Sequence, residues 1–142
     1  MKIQVTTDYA IRMVIYMAQR GSQLSAAKEA SVQLGITYGY FNKIAAKLRR
    51  AGLIDSVQGP RGGYILLKPA EDITLYDVIE IMEGSIRLNN CLEDDGFCSR
   101  NAVQACQVHK ILGSLQNEII EKLKGVRICD LDDPLIPVNE CE

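Results

Sequence analysis

The chain has 142 residues, 47% hydrophobic and 24% charged, with a formal net charge of −2 and five cysteines. That length holds one domain with an extension. No apolar run reaches membrane-spanning length and the N-terminus lacks a signal-peptide pattern, so the expectation is a cytoplasmic protein with no membrane partner, whose thiols do not form a disulfide framework.

The small total charge conceals a division. Residues 1–70 carry ten Lys and Arg against three acids, and residues 71–142 carry six against fifteen. A basic half joined to an acidic half points to a polyanion-binding unit coupled to something else.

In chain order, Thr6 or Thr7 is the predicted N-cap of a first helix reaching Arg20. Asp8 lies in its first turn, where a carboxylate suits the helix dipole. Ala10, Met13, Val14, Met17 and Ala18 form its inner stripe. Ser25 opens a second helix from Ala26 to Gln33, closed by Gly35. Thr37 caps a third helix, in which Phe41, Ile44, Ala45 and Leu48 recur at helical spacing. Asn42, Lys43, Lys47 and Arg50 occupy the opposite face. Gly52 stops this helix. Leu53–Val57 and Tyr64–Leu67 are strand-like runs around a turn-rich tip, Gly59-Pro60-Arg61-Gly62-Gly63.

Turn, helix, hairpin and basic tip occur in that order within the 35 residues from Leu34 to Lys68. The pattern describes a winged helix-turn-helix: the third helix enters a DNA major groove and the wing places Arg61 near the minor groove. The blander alternative is a small α+β domain with solvated charges. Predicted DNA contacts are Thr37, Tyr38, Tyr40, Asn42, Lys43 and Lys47 on the helix, with Arg61 and Gly62 in the wing. Gly39 belongs with them, because a missing side chain allows close approach. Tyr40 could equally be core.

Beyond the wing, Thr74 caps a fourth helix with Asp77 as its capping-box partner, and Gly84 ends it. Leu75, Val78, Ile79 and Met82 form its inner face. Residues 1–84 are thus the predicted DNA-binding domain. Residues 85–106 read as a long loop, which needs a function, leading into the start of a long helix. That helix begins around Ser99 to Asn101 and runs to Lys124. Val108, Ile111, Leu112, Leu115, Ile119 and Leu123 fit one apolar seam along it. The seam predicts a dimerisation helix over 107–125, suited to two half-sites on palindromic DNA; the alternative is that it folds back on its own chain. Residues 126–142, with Pro134 and Pro137, read as a loosely ordered acidic tail. The fold class is mostly α with a small β wing.

All five cysteines lie in the acidic half. Six residues separate Cys91 from Cys98 and seven separate Cys98 from Cys106. His109, the only histidine, follows Cys106 at i+3, so both side chains face the same way. Thiolates with an imidazole suit zinc or an iron–sulfur cluster, and well-separated cysteines suit the larger group. A zinc staple and free thiols are the alternatives.

These residues resemble the IscR/NsrR family of bacterial winged-helix regulators. The likeness runs through Thr7-Asp8-Tyr9-Ala10-Ile11-Arg12, Gly52-Leu53-Ile54, Gly59-Pro60-Arg61-Gly62-Gly63-Tyr64 and Ile73-Thr74-Leu75-Tyr76-Asp77-Val78-Ile79, then the three cysteines. The resemblance implies a homodimer with swapped long helices, bound to double-stranded operator DNA. It also implies a cluster in the Cys91–Cys106 loop whose state sets DNA affinity or site choice. His109 matches the fourth ligand of 2Fe-2S members; Asp8, on the first helix of the partner, matches that of nitric-oxide-sensing 4Fe-4S members. His109 is favoured, and 2Fe-2S with it, because the Cys106-x-x-His109 spacing has its own geometric reason. The wider cysteine spacings and the added Cys129 and Cys141 depart from the family pattern.

The expected function is a transcription regulator, as a repressor, that responds to iron–sulfur status, oxidative stress or nitric oxide. Its competitors are a metal-free thiol-switch regulator of the same fold and a zinc-stapled adaptor for protein. An enzyme is not expected, since no nucleophile–base pair is present.

Overall fold

A computed structural model describes residues 2–135. Its helices are α1 (Val5–Arg20), α2 (Ala27–Leu34), α3 (Tyr38–Arg50), α4 (Leu75–Glu83) and α5 (Gln107–Lys124). Strands β1 (Ile54–Val57) and β2 (Gly63–Leu66) pair antiparallel, with Ile54 opposite Leu66 and Val57 opposite Gly63. This is a mostly α chain with a β wing.

α1 is the centre of the core. Ala10, Met13, Val14, Tyr16 and Met17 on one side of it are buried against Phe41, Ile44, Ala45 and Leu48 of α3, with Ile54, Ile73 and Val78 completing the cluster. The Phe41 ring packs on Tyr64 of β2 at 5.9 Å, fixing the wing to α3. Full burial of a ring this size is worth several kcal/mol, so α3 is held by its inner face while its outer face stays open.

Local capping follows the sequence at two helix starts. Thr37 accepts the Tyr40 amide, and Thr74 with Asp77 forms a complete capping box. At two others it does not. α1 begins at Val5, with Gln4 as an N-cap lacking a side-chain bond, while Thr7 is fully buried in the core. Ser25 does not open α2 either: its backbone pairs with Tyr64 in both directions at 2.8 and 2.9 Å, adding a stub to the wing sheet, and α2 starts after Ala26.

The chain after α5 is also a correction. Residues expected to be a loose tail return to the core: Ile128 is fully buried, Leu75 donates to Val126, and Ile128 donates to Ile73. Apolar Val126, Ile128 and Leu131 find a sheltered strip beside α1 and α4. Pro137 and Cys141 lie outside the described residues.

α5 starts at Gln107, later than expected. Asn101 adopts a φ of 51°, a left-handed conformation that interrupts a helix. Residues 99–106 are therefore turns. The predicted single seam divides as well. Leu112, Ile119 and Leu123 are half-buried on their own chain, whereas Val108, Ile111 and Leu115 are 59%, 65% and 40% exposed. Among the described residues, no helix is long and apolar enough to cross a membrane.

Candidate nucleic-acid interface and cysteine pocket

The outer face of α3 and the wing tip form one surface. Tyr38 and Tyr40 are each about half exposed, which places Tyr40 outside the core, its ring edge-on to Tyr9 at 6.3 Å. Between them Gly39 meets nothing within 4 Å of where a Cβ would stand. Its helical backbone does not need glycine, and alanine there would favour the helix. Lys43 is exposed and Asn42 half-buried. Asn42 and Tyr38 line a groove of about 410 Å³ between α3, Lys28 of α2 and the wing. Thr37 contributes its hydroxyl as the helix cap.

At the tip, Arg61 is exposed. Gly62 has a structural reason to be glycine: a Cβ would collide with the Val57 carbonyl. Its amide donates to Gly59 at 2.9 Å, closing the turn that carries Arg61. The exposed Lys47 donates its ammonium to the Met82 carbonyl at 2.8 Å. Arg49 pairs with Asp55 at 3.5 Å across exposed surface, a weak contact in water.

The second site lies at the start of α5. Cys91, Cys98, Cys106 and His109 line one cavity of about 230 Å³, together with Phe97 and Val108. His109 Nδ1 is 3.0 Å from Cys91 Sγ, and Asn89 donates to the same sulfur at 3.6 Å. Cys106 is the N-cap of α5 rather than a helical residue, and its sulfur accepts the His109 amide at 3.4 Å. Hydrogen bonds from the Ala102 and Arg100 amides hold the Cys98 thiol below its ordinary range, helped by the Asn101 amide and the Arg100 charge. The exposed Cys129 behaves oppositely: desolvation of its sulfur and the nearby Asp130 and Glu71 carboxylates push its thiol up.

Among the described residues, no three His, Cys, Asp or Glu side chains are gathered tightly enough to hold a single ion. The four soft donors share a cavity wall rather than a point. Three thiols and an imidazole around one cavity are donor chemistry that fits an iron–sulfur cluster or a zinc ion. The Asp8 carboxylate pairs with Arg12 at 2.6 Å, and Arg12 also stands over the Tyr9 ring and donates to Leu34.

Sequence reasoning missed Gln116. It is only 7% exposed, and its side-chain oxygen accepts the Leu88 amide at 2.9 Å, pinning the root of the cysteine loop to α5. The signal was a polar residue in line with Leu112, Ile119 and Leu123 on the inner face.

The family profile described as "Rrf2: Iron-dependent Transcriptional regulator" matches residues 3–134. Protein aau3 of Rhizobium meliloti is 36% identical over 131 residues, covering 92% of this chain and 84% of that protein. Among solved structures, CymR, the global cysteine regulator of B. subtilis, superposes with a TM-score of 0.73 at 25% identity, covering 92% of this chain and 95% of CymR. IscR of T. potens superposes with a TM-score of 0.68 at 27% identity, covering 92% and 85%. The winged helix-turn-helix, its basic tip and this likeness across nearly the whole chain agree: the protein belongs to the Rrf2 family of transcriptional regulators, which are not enzymes.

Proposed function

We propose that the chain is a repressor whose hold on a palindromic operator is set by the state of its cysteine pocket, with an iron–sulfur cluster as the group held there. The observation that carries this reading is the lining of one cavity by Cys91, Cys98, Cys106 and His109, at the start of the helix that exposes Val108, Ile111 and Leu115.

The roles follow from the chemistry of each group. Three thiolates and an imidazole would hold the cluster, with His109 as fourth ligand, since its ring already lies against Cys91. A bound cluster would supply a centre sensitive to redox state, oxygen and nitric oxide. Asp8 is the weaker candidate, because binding a metal would require it to leave Arg12. Val108, Ile111 and Leu115 would pair the chain with a second copy, setting the two-fold spacing of two DNA-binding heads, residues 1–84 of each chain. On each head Thr37, Tyr38, Gly39, Tyr40 and Asn42 would face the major groove, Lys43 a phosphate, and Arg61, on the turn closed by Gly62, the minor groove.

Protein purified without oxygen is expected to absorb visible light and to carry iron and sulfide in equal amounts. Cys91→Ser should lose both. One zinc per chain, or a colourless iron-free protein with unaltered DNA binding, would contradict the cluster. The second reading, a metal-free thiol switch, is favoured by the amide-supported Cys98 thiol and by the likeness to CymR. Its mark would be operator binding that changes with thiol oxidation alone.

A further inference from the structure

Lys47 lies on the exposed face of α3, where a lysine ordinarily meets a phosphate. Its ammonium instead reaches across to the Met82 carbonyl at 2.8 Å, in the last turn of α4. The final carbonyls of a helix lack partners within it and form the negative end of its dipole. α4 has no basic residue in its own last turn, and Glu80 and Glu83 add negative charge there. A cation supplied by another helix answers that need. Gly84 then ends α4, and four residues later Leu88 is pinned to α5 by Gln116, just ahead of Cys91.

We propose that Lys47 is a positioning residue rather than a DNA contact: it clamps the DNA-reading helix to the end of α4, so that movement at the root of the cysteine loop reaches α3. The coupling to the loop rests on the function proposed above; the clamp itself does not. Lys43, exposed on the same helix and without a protein partner among the described residues, serves as the phosphate-contacting control. Coupling of this kind is reciprocal, so DNA on α3 also steadies the loop root.

Three arms test the clamp on the full chain. In DNA-free protein, amide exchange at Gly84, which donates to Glu80 at 2.8 Å, should quicken in Lys47→Met and return to the wild-type rate in Lys47→Arg. In operator titrations against salt, Lys43→Met should make the slope of log K on log salt shallower by about 1.8, the loss of one phosphate contact on each of the two paired chains, while Lys47→Met leaves it unchanged. Finally, serine at Cys91, Cys98 and Cys106 should change operator affinity in the wild-type background by about fivefold or more, and by less than about twofold once Lys47 is Met. Unchanged exchange at Gly84, or a salt slope that falls as for Lys43→Met, would overturn the clamp. An undiminished serine effect in the Lys47→Met background would overturn the coupling. If the serine chain bound DNA like wild type with Lys47 intact, the proposed function would fail, and the exchange and salt arms would still decide the clamp.

Discussion

The head and the cysteine loop are built on opposite terms. In the head, α1 and α3 bury Met13, Tyr16, Phe41 and Leu48 almost completely, and two of its helices carry side-chain caps. In residues 85–106 no side chain is buried, and among the described contacts the loop is tied to the body by a few, of which the Gln116–Leu88 bond is the best sheltered. A packed unit has one arrangement, because any other opens cavities. A loop held at few points can change arrangement at little cost. Under the proposed function each task falls where this contrast puts it: the packed head would present a fixed surface, and the loosely held loop would respond.

The largest test of that contrast is a pair of truncations. Phe41→Ala should cost about 3–5 kcal/mol of folding stability, the usual range for a fully buried ring. Phe97→Ala, in the loop and 64% exposed, should cost less than about 0.5 kcal/mol. Urea denaturation of both variants makes the comparison, and similar losses would show that the loop is part of the cooperative core.

Next in size is Arg61→Ala. It should weaken operator binding by about 1–3 kcal/mol at fixed salt without changing stability. Gln116→Leu should cost about 1–3 kcal/mol by leaving the Leu88 amide without a partner. Its effect should appear as faster exchange at Leu88 more than as loss of the head.

Gly39→Ala sharpens the contrast within the head itself. Removing a helical glycine should raise stability by up to about 1 kcal/mol, since nothing crowds the new methyl. Operator affinity should fall, because the space is kept for DNA. Gains or losses in both together would refute that reason for the glycine.

The smallest effect separates two thiols in metal-free, folded protein. Cys98 is lowered by backbone amides and Cys129 is raised, and the thiolate is the reactive form. As pH rises, alkylation followed by mass spectrometry should therefore label Cys98 before Cys129.

Much of the head was legible because its signals are local. Thr37, the Thr74–Asp77 box and the Phe41-to-Leu48 stripe each lie within a few residues of what they determine. Thr7 and Ser25 start no helix: Thr7 is buried in the core, and Ser25 pairs with the Tyr64 backbone, which is distant in sequence. Ile128 was missed for the same reason, since its shelter is made by Ile73 and its neighbours more than fifty residues earlier. At the candidate site, the cysteines and His109 were visible as a set. The helix start was not, because one left-handed Asn101 decides it. At Lys47 only the fold brings the Met82 carbonyl within reach of the ammonium.

In the proposed mechanism the pocket of Cys91, Cys98 and Cys106 controls the DNA-reading head. Its most direct test is an operator titration, without oxygen and at fixed salt, of the protein as isolated and of the same sample after iron and sulfide are removed. A change in Kd of about five- to 150-fold is predicted. Equal Kd values from a sample shown to have held and then lost its iron would contradict it.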